Sequence, residues 1–331
     1  MQATTNNRNY LIDLLRFLSA SWVALFHFNA GIPPADNWYR AFCGLGYLGV
    51  PVFFIISGYC ICIAQQHAKT PRSFIIRRFF RIFPPYWFSI LLVCACALAI
   101  KLITGTNSAA SLPNSFGRVM AAVLLYTAPL SSEHTINWVY WTLPYELFFY
   151  FLVFLAMAIS KQVSAFLLLV LALAAIWVPY QATGFLFFFN ELPAFLLGYA
   201  LYLVLHKEGN IYAALGLLLS AAAGVYLKHV EFAYHITYFA TIALIAVNAR
   251  FPLKNNFFSR LGDYSYSVYL IHVPLGIYLL GFVKRYQAVQ NTTVLNILAD
   301  FTLLTVVVVC AKVMFMRVEA PSIKLGRKYS A

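Results

Sequence analysis

The sequence predicts an all-α, polytopic membrane protein of about ten transmembrane helices with both termini cytoplasmic, and three observations carry that prediction. Of its 331 residues, 62% are hydrophobic and 10% charged, where a soluble domain carries about 25% charged residues. Stretches with the ~20 apolar residues that a helix needs to cross a bilayer recur along the whole chain. They are too long for the alternating strands of an outer-membrane barrel. Lysine and arginine concentrate in alternate connections, so the net charge of +13 reflects membrane topology rather than nucleic-acid binding.

The first span, 10–29, carries Asp13, Arg16 and His27. At about 100° per residue, the step from Arg16 to His27 makes three turns with roughly 20° left over, so both share one stripe about 16 Å apart along the axis. Asp13 lies one turn before Arg16, and Ala20 and Val23 leave a shallow groove between Arg16 and His27. A charge near mid-bilayer costs about 3 kcal/mol, which favours a functional stripe. An Asp13–Arg16 pair that merely holds the bundle, with His27 reaching the interface, is the structural alternative. The charges also break what a signal peptide would keep apolar, so the span is expected to stay in the mature protein.

The second span, 45–64, contains GYLGVPVFFIISGY (Gly46–Tyr59), whose glycines and Ser57 allow close helix approach. There follows RSFIIRRFFRIFPPYW, with Arg72, Arg77, Arg78 and Arg81. Arg77 and Arg81 stand at i and i+4 on one helical face, and Pro84 and Pro85 are expected to interrupt the helix where the third span, 83–103, begins. Such a cluster suits a phosphate ligand or anionic lipid headgroups. Only the first should be sensitive to Arg→Lys. The apolar stretch 116–130 is short, which favours an interfacial or re-entrant piece.

The fourth span, 142–159, opens with Glu146 near the outer boundary, at the depth expected for His27. A carboxylate there would orient the imidazole, or it would simply be satisfied by interfacial water. Trp138, Trp141 and Tyr145 fit an aromatic belt. Apolar periodicity continues through 163–180, 185–205, 211–227 and 232–249. In 264–282, Asp263 marks the cytoplasmic edge and His272 lies about 14 Å deeper, with Tyr269 one turn before it. The last span is 294–316.

With the N-terminus inside, the cytoplasmic side receives Arg8, the 69–81 stretch, Lys161, Lys207, the 250–260 stretch and the 317–328 tail. The whole of 1–331 reads as a single transmembrane domain. The six cysteines lie mostly within apolar spans and lack zinc-ligand spacing, so neither a disulfide framework nor a metal is expected.

In this order the motifs resemble those of the acyltransferase-3 family of integral membrane acyltransferases. They are D-x-L-R with R-x10-H (Asp13, Arg16, His27), FF-x-x-SGY (Phe53 to Tyr59) and RR-x-x-RI-x-P-x-YW (Arg77 to Trp87). After these come W-T-L-x-x-E-x-x-FY (Trp141, Glu146, Tyr150), G-x-x-SY-x-x-YL-x-H-x-P (Gly262 to Pro274) and the tail RVEAPSIKLGRK. The resemblance covers roughly residues 8–328. Leu147 stands where many relatives carry a second acidic residue. Some relatives also append a soluble hydrolase-like domain; this sequence shows none, so any second step or acceptor capture would need a separate protein.

The resemblance implies acyl transfer, commonly acetyl from acetyl-CoA, to hydroxyls of glycans such as O-antigen (lipopolysaccharide) or exopolysaccharide, in a multi-pass inner (plasma) membrane protein. CoA phosphates would dock on Arg77, Arg78 and Arg81, with Arg16 holding the donor deeper and Asp13 balancing Arg16. The thioester would follow the Ala20/Val23 groove to His27, the base, oriented by Glu146; in a variant, His27 carries the acyl group covalently. Tyr145 and Ser57 are candidate oxyanion donors, and Tyr269 and His272 are supporting residues. The competing class is a proton-coupled transporter or a lipid or glycolipid flippase, which a buried Asp/Arg/His stripe would also serve.

Overall fold

In a computed structural model the chain is described over residues 8–33, 36–105, 110, 112–160, 163–182 and 184–330. Lys161, counted above toward the cytoplasmic charge, lies outside the described residues. Among these residues there is no strand. The helices are α1 Tyr10–Ala30, α2 Trp38–Gly44, α3 Gly49–Gln66, α4 Pro71–Thr104 and α5 Phe116–Val123. They continue as α6 Thr142–Ile159, α7 Ser164–Trp177, α8 Leu192–His206, α9 Ile211–Lys228 and α10 Phe232–Arg250. The remainder are α11 Phe257–Leu261, α12 Ser265–Val273, α13 Gln287–Asn291, α14 Thr293–Met314 and α15 Ala320–Tyr329.

Seven helical stretches among the described residues are long and apolar enough to cross a membrane, or eight if the bent pair of a 3-10 helix, Gly184–Asn190, and α8 counts as one span. The expected spans 163–180 and 264–282 fall short of that length. The first is the 14-residue α7. The second breaks after the nine-residue α12, because Pro274 has no N–H for the ladder and the chain passes into a wider turn, Pro274–Leu279. The 8-residue α5 reaches only about 12 Å, which suits the expected interfacial piece.

Two local features set up the site. Thr70 and Ser73 cap each other reciprocally at the start of α4, with Pro71 in the first turn. The helix then runs for 34 residues through Pro84 and Pro85 rather than breaking there as expected, so the arginines and the following span form one continuous rod.

The second feature is the contact of α3 with α8, where Gly58 and Gly198 face each other. A Cβ on Gly58 would fall 1.8 Å from the Phe195 carbonyl oxygen, and one on Gly198 would fall 1.8 Å from that of Ile55. Only hydrogen at both positions allows this backbone approach. Large buried aromatics, among them Phe149, Phe195, Tyr150 and Tyr199, fill the space beside it.

Candidate active site

Two cavities approach each other inside the bundle. The first, of about 290 Å³, opens among α1, α3, α4, α6 and α12 toward the end that carries both chain termini. Arg16, Arg78 and Arg81 line it together with Ser57, Cys60 and Glu146. Arg78 and Arg81 are one turn apart on α4 and reach it side by side. Arg78 lies 5.9 Å over the Tyr150 ring, and its Nε is buried without a hydrogen-bond partner among the described residues.

Arg81 stands 3.9 Å from Glu319, a fully buried carboxylate that also accepts from Ser267 at 2.8 Å. Arg16 has no carboxylate within ion-pair distance among the described residues. Glu146 accepts from Ser57 at 3.2 Å and from the Tyr150 hydroxyl. Three guanidinia around one lining carboxylate leave the cavity with a positive field suited to an anion.

From Ile61 to Val50 on α3, both lining residues, the cavity runs about 16 Å along the helix axis. Its far end is closed by Tyr269, whose hydroxyl donates to the Val139 carbonyl at 2.6 Å and accepts from Thr142 at 2.8 Å.

The second cavity, of about 490 Å³, opens at the opposite end of α1 and is lined by His27, Trp138, Gly276, Lys284 and Arg285. The His27 ring centroid lies 6.1 Å from that of Trp138 and 5.3 Å from that of His272, while His272 lies 5.9 Å from Tyr269. His27, His272 and Tyr269 therefore form a partition between the cavities, and no lining residue is common to both.

Beneath the second cavity Lys284 is saturated. It donates to Asp300 at 2.7 Å, to Asn29 at 3.3 Å and to Asn296. Tyr39 donates to the same carboxylate at 2.8 Å. Burial pushes the Lys284 ammonium below its ordinary range, and the Asp300 charge opposes that shift.

The structure brings Arg16, Arg78, Arg81, Ser57 and Glu146 together and sets His27 beside His272, which in turn lies beside Tyr269, but several expected contacts are made differently. Asp13 does not balance Arg16: it pairs with Arg8 at 2.6 Å, and Arg8 bridges to Asp263 at 2.8 Å, tying α1 to the start of α12. Glu146 does not orient His27, since it lies in the first cavity on Ser57 and Tyr150. Arg77 is turned away from the cavity and donates to Ser330 at 2.7 Å, so Arg78 and Arg81 rather than Arg77 and Arg81 share the relevant face.

The Ala20/Val23 groove is filled. Both residues are buried, because Gly49 of α3 packs so closely that a Cβ there would lie 2.8 Å from Val23. The open path runs instead along α3. Tyr145 lines neither cavity and packs on Phe187 at 4.8 Å.

Glu319, Lys284 and Asp300 are buried polar residues to which the sequence assigned no role in the site. An aspartate in the apolar run of α14 and a glutamate in the RVEAPS tail were the signals available for two of them.

Comparison with known proteins agrees with the motif order. The family model described as an acyltransferase domain matches residues 9–317. An O-acetyl transferase of Shigella phage Sf6 is 24% identical over 305 residues, covering 81% of this chain and 85% of the relative. A protein of Komagataeibacter xylinus named as a membrane-bound transacylase, BcsY, is 35% identical over 91 residues, covering 27% of this chain and 20% of that relative's length. No solved structure matches. The match over nearly the whole chain, together with its apolar spanning helices, makes this protein a multi-pass membrane member of the acyltransferase-3 family.

Proposed function

We propose that the protein is a membrane O-acyltransferase that moves an acyl group, acetyl in the first instance, from acyl-CoA to a hydroxyl of a glycan or glycolipid. O-antigen and exopolysaccharide are the acceptor classes in view. The observation that carries this reading is the pair of cavities meeting at an imidazole partition: one lined by three guanidinia, the other by His27 and an indole face. Forked guanidinia suit the phosphates of a nucleotide-borne donor, and Trp138 offers an apolar platform to a sugar ring. The donor enters from the cytoplasm, with both chain termini on that side of an inner (plasma) membrane. Its phosphates rest on Arg16, Arg78 and Arg81, and its pantetheine arm extends along α3 toward Tyr269.

The acceptor hydroxyl arrives from the outer cavity, and ring movement in the partition lets it reach the thioester. His27 takes the hydroxyl proton as the oxygen attacks the thioester carbonyl. The C–S bond then breaks, and the departing CoA sulfur takes the proton from the imidazolium. Base catalysis of this kind is typically worth about 10²–10⁴-fold.

The test is purified protein in proteoliposomes with radiolabelled acetyl-CoA, paired with mass spectrometry of the surface polysaccharide of producing cells. His27→Ala should bind CoA normally, transfer no label, and leave the polysaccharide without its acetyl groups. Full transfer by His27→Ala, or no CoA binding by the wild-type protein, overturns the proposal.

A further inference from the structure

A catalytic histidine normally donates its spare N–H to a carboxylate, which fixes its tautomer and stabilises the imidazolium. His27 has no such carboxylate among the described residues. What it has is a second imidazole. His272 is wholly buried, 0% exposed, and its Nδ1 lies 2.8 Å from the Tyr269 carbonyl and 3.3 Å from that of Val268.

Carbonyl oxygens only accept, so Nδ1 must carry the hydrogen, and in the neutral ring Nε2 is then left as a bare acceptor. That Nε2 has no hydrogen-bond partner among the described residues. Leaving a buried polar atom unpaired costs about 1–3 kcal/mol, an outlay that packing alone does not explain. The ring is therefore held in one tautomer by its own helix, with its lone pair buried in a ring that lies beside His27.

The separation suits a bond between the two rings. Each ring nitrogen lies about 1.1 Å from its centroid, so an N–H···N bond of about 3 Å places two imidazole centroids close to 5.3 Å apart when the bond lies along the line between them. The observed centroid distance is 5.3 Å, with the planes 27° apart. The two rings stand nearly parallel and His272 Nε2 is unpaired, so the bond forms only when the half-buried His27 ring rotates to turn an N–H toward it.

We propose that His272 is the positioning partner of His27: its Nε2 accepts the His27 N–H, so the opposite His27 nitrogen presents its lone pair to the acceptor hydroxyl. The inference rests on the acyl-transfer reading above. The proton that His27 takes from the hydroxyl returns to the CoA sulfur as the C–S bond breaks. His272 stays neutral throughout and serves as hydrogen-bond acceptor in the place where a carboxylate is usual. A neutral acceptor supports an imidazolium less strongly than a carboxylate does, and it adds no second buried charge to the partition.

Two side chains separate the roles of the two nitrogens. Asparagine at 272 keeps a donor near the Nδ1 position for the Tyr269 carbonyl but offers nothing at the Nε2 position. Glutamine places an amide oxygen near the Nε2 position. His272→Asn should lower kcat for acetyl transfer by 30-fold or more while leaving the KM for acetyl-CoA and the unfolding temperature in detergent unchanged. His272→Gln should recover at least tenfold of that loss.

The pH–rate profile supplies a readout that packing does not touch. The limb that reports the essential base should move in His272→Asn relative to wild type and move back toward it in His272→Gln. The inference is overturned if His272→Asn turns over within threefold of wild type. It is equally overturned if both variants lose activity alike with a fall in unfolding temperature. Absence of transfer by the wild-type protein would instead refute the acyl-transfer reading, so the two failures are told apart.

Discussion

Arg77 and Arg78 are neighbours in sequence, and the geometry assigns them opposite importance for donor binding. Arg78 lines the inner cavity with an unpartnered Nε, whereas Arg77 is committed to Ser330 at 2.7 Å outside it. A hydrogen bond to a charged group contributes about 1.5–3 kcal/mol, and each 1.4 kcal/mol is tenfold in affinity. Arg78→Gln should therefore weaken CoA binding by about 10- to 150-fold, while Arg77→Gln should change it by less than about threefold. Arg78→Lys should fall between them, since lysine keeps the charge but loses the fork. Isothermal titration of CoA into nanodisc-embedded protein measures all three. Equal losses for Arg77→Gln and Arg78→Gln would show that the cluster acts as a diffuse basic surface, and the assignment of this cavity to the donor would fail.

Two more outcomes follow from the same geometry. Cys43, Cys62 and Cys96 are buried, and of the half-buried Cys60, Cys94 and Cys310 it is Cys60 that lines the inner cavity. A maleimide should block transfer by alkylating Cys60, CoA should slow the reaction at least fivefold, and Cys60→Ser should remove the sensitivity; peptide mass spectrometry locates the label. Asp300→Ala strands the Lys284 ammonium, 3% exposed, and should cost about 3–5 kcal/mol. Pairing Asp300→Leu with Lys284→Met should recover most of that loss, as followed by thermal unfolding in detergent.

What the sequence reveals here is set by the range of the interactions concerned. Helical periodicity alone brings Arg16 and His27 to cavity walls, because both lie on one helix and their phase is local. It does not reveal that they serve different cavities, since the groove between them is filled by Gly49 of a neighbouring helix. Partner choice is likewise tertiary. Arg8 takes Asp13, and Tyr150 and Ser57 take Glu146, so neither carboxylate meets the group that spacing suggests. Arg77 and Arg78 are both plausible by phase until α15 brings Ser330 against one of them. Length is the remaining weakness: apolar runs at 163–180 and 264–282 read as spans, yet Pro274 cuts the second into a nine-residue helix and a turn.

The partition of His27, His272 and Tyr269 bears on more than chemistry. A water-filled passage from one leaflet to the other would conduct ions down the transmembrane potential, which drives each elementary charge with about 2.3 kcal/mol per 100 mV. On the proposed acyl transfer, two chambers that share no wall residue would let reagents from opposite compartments approach each other across these rings while the bilayer stays electrically sealed.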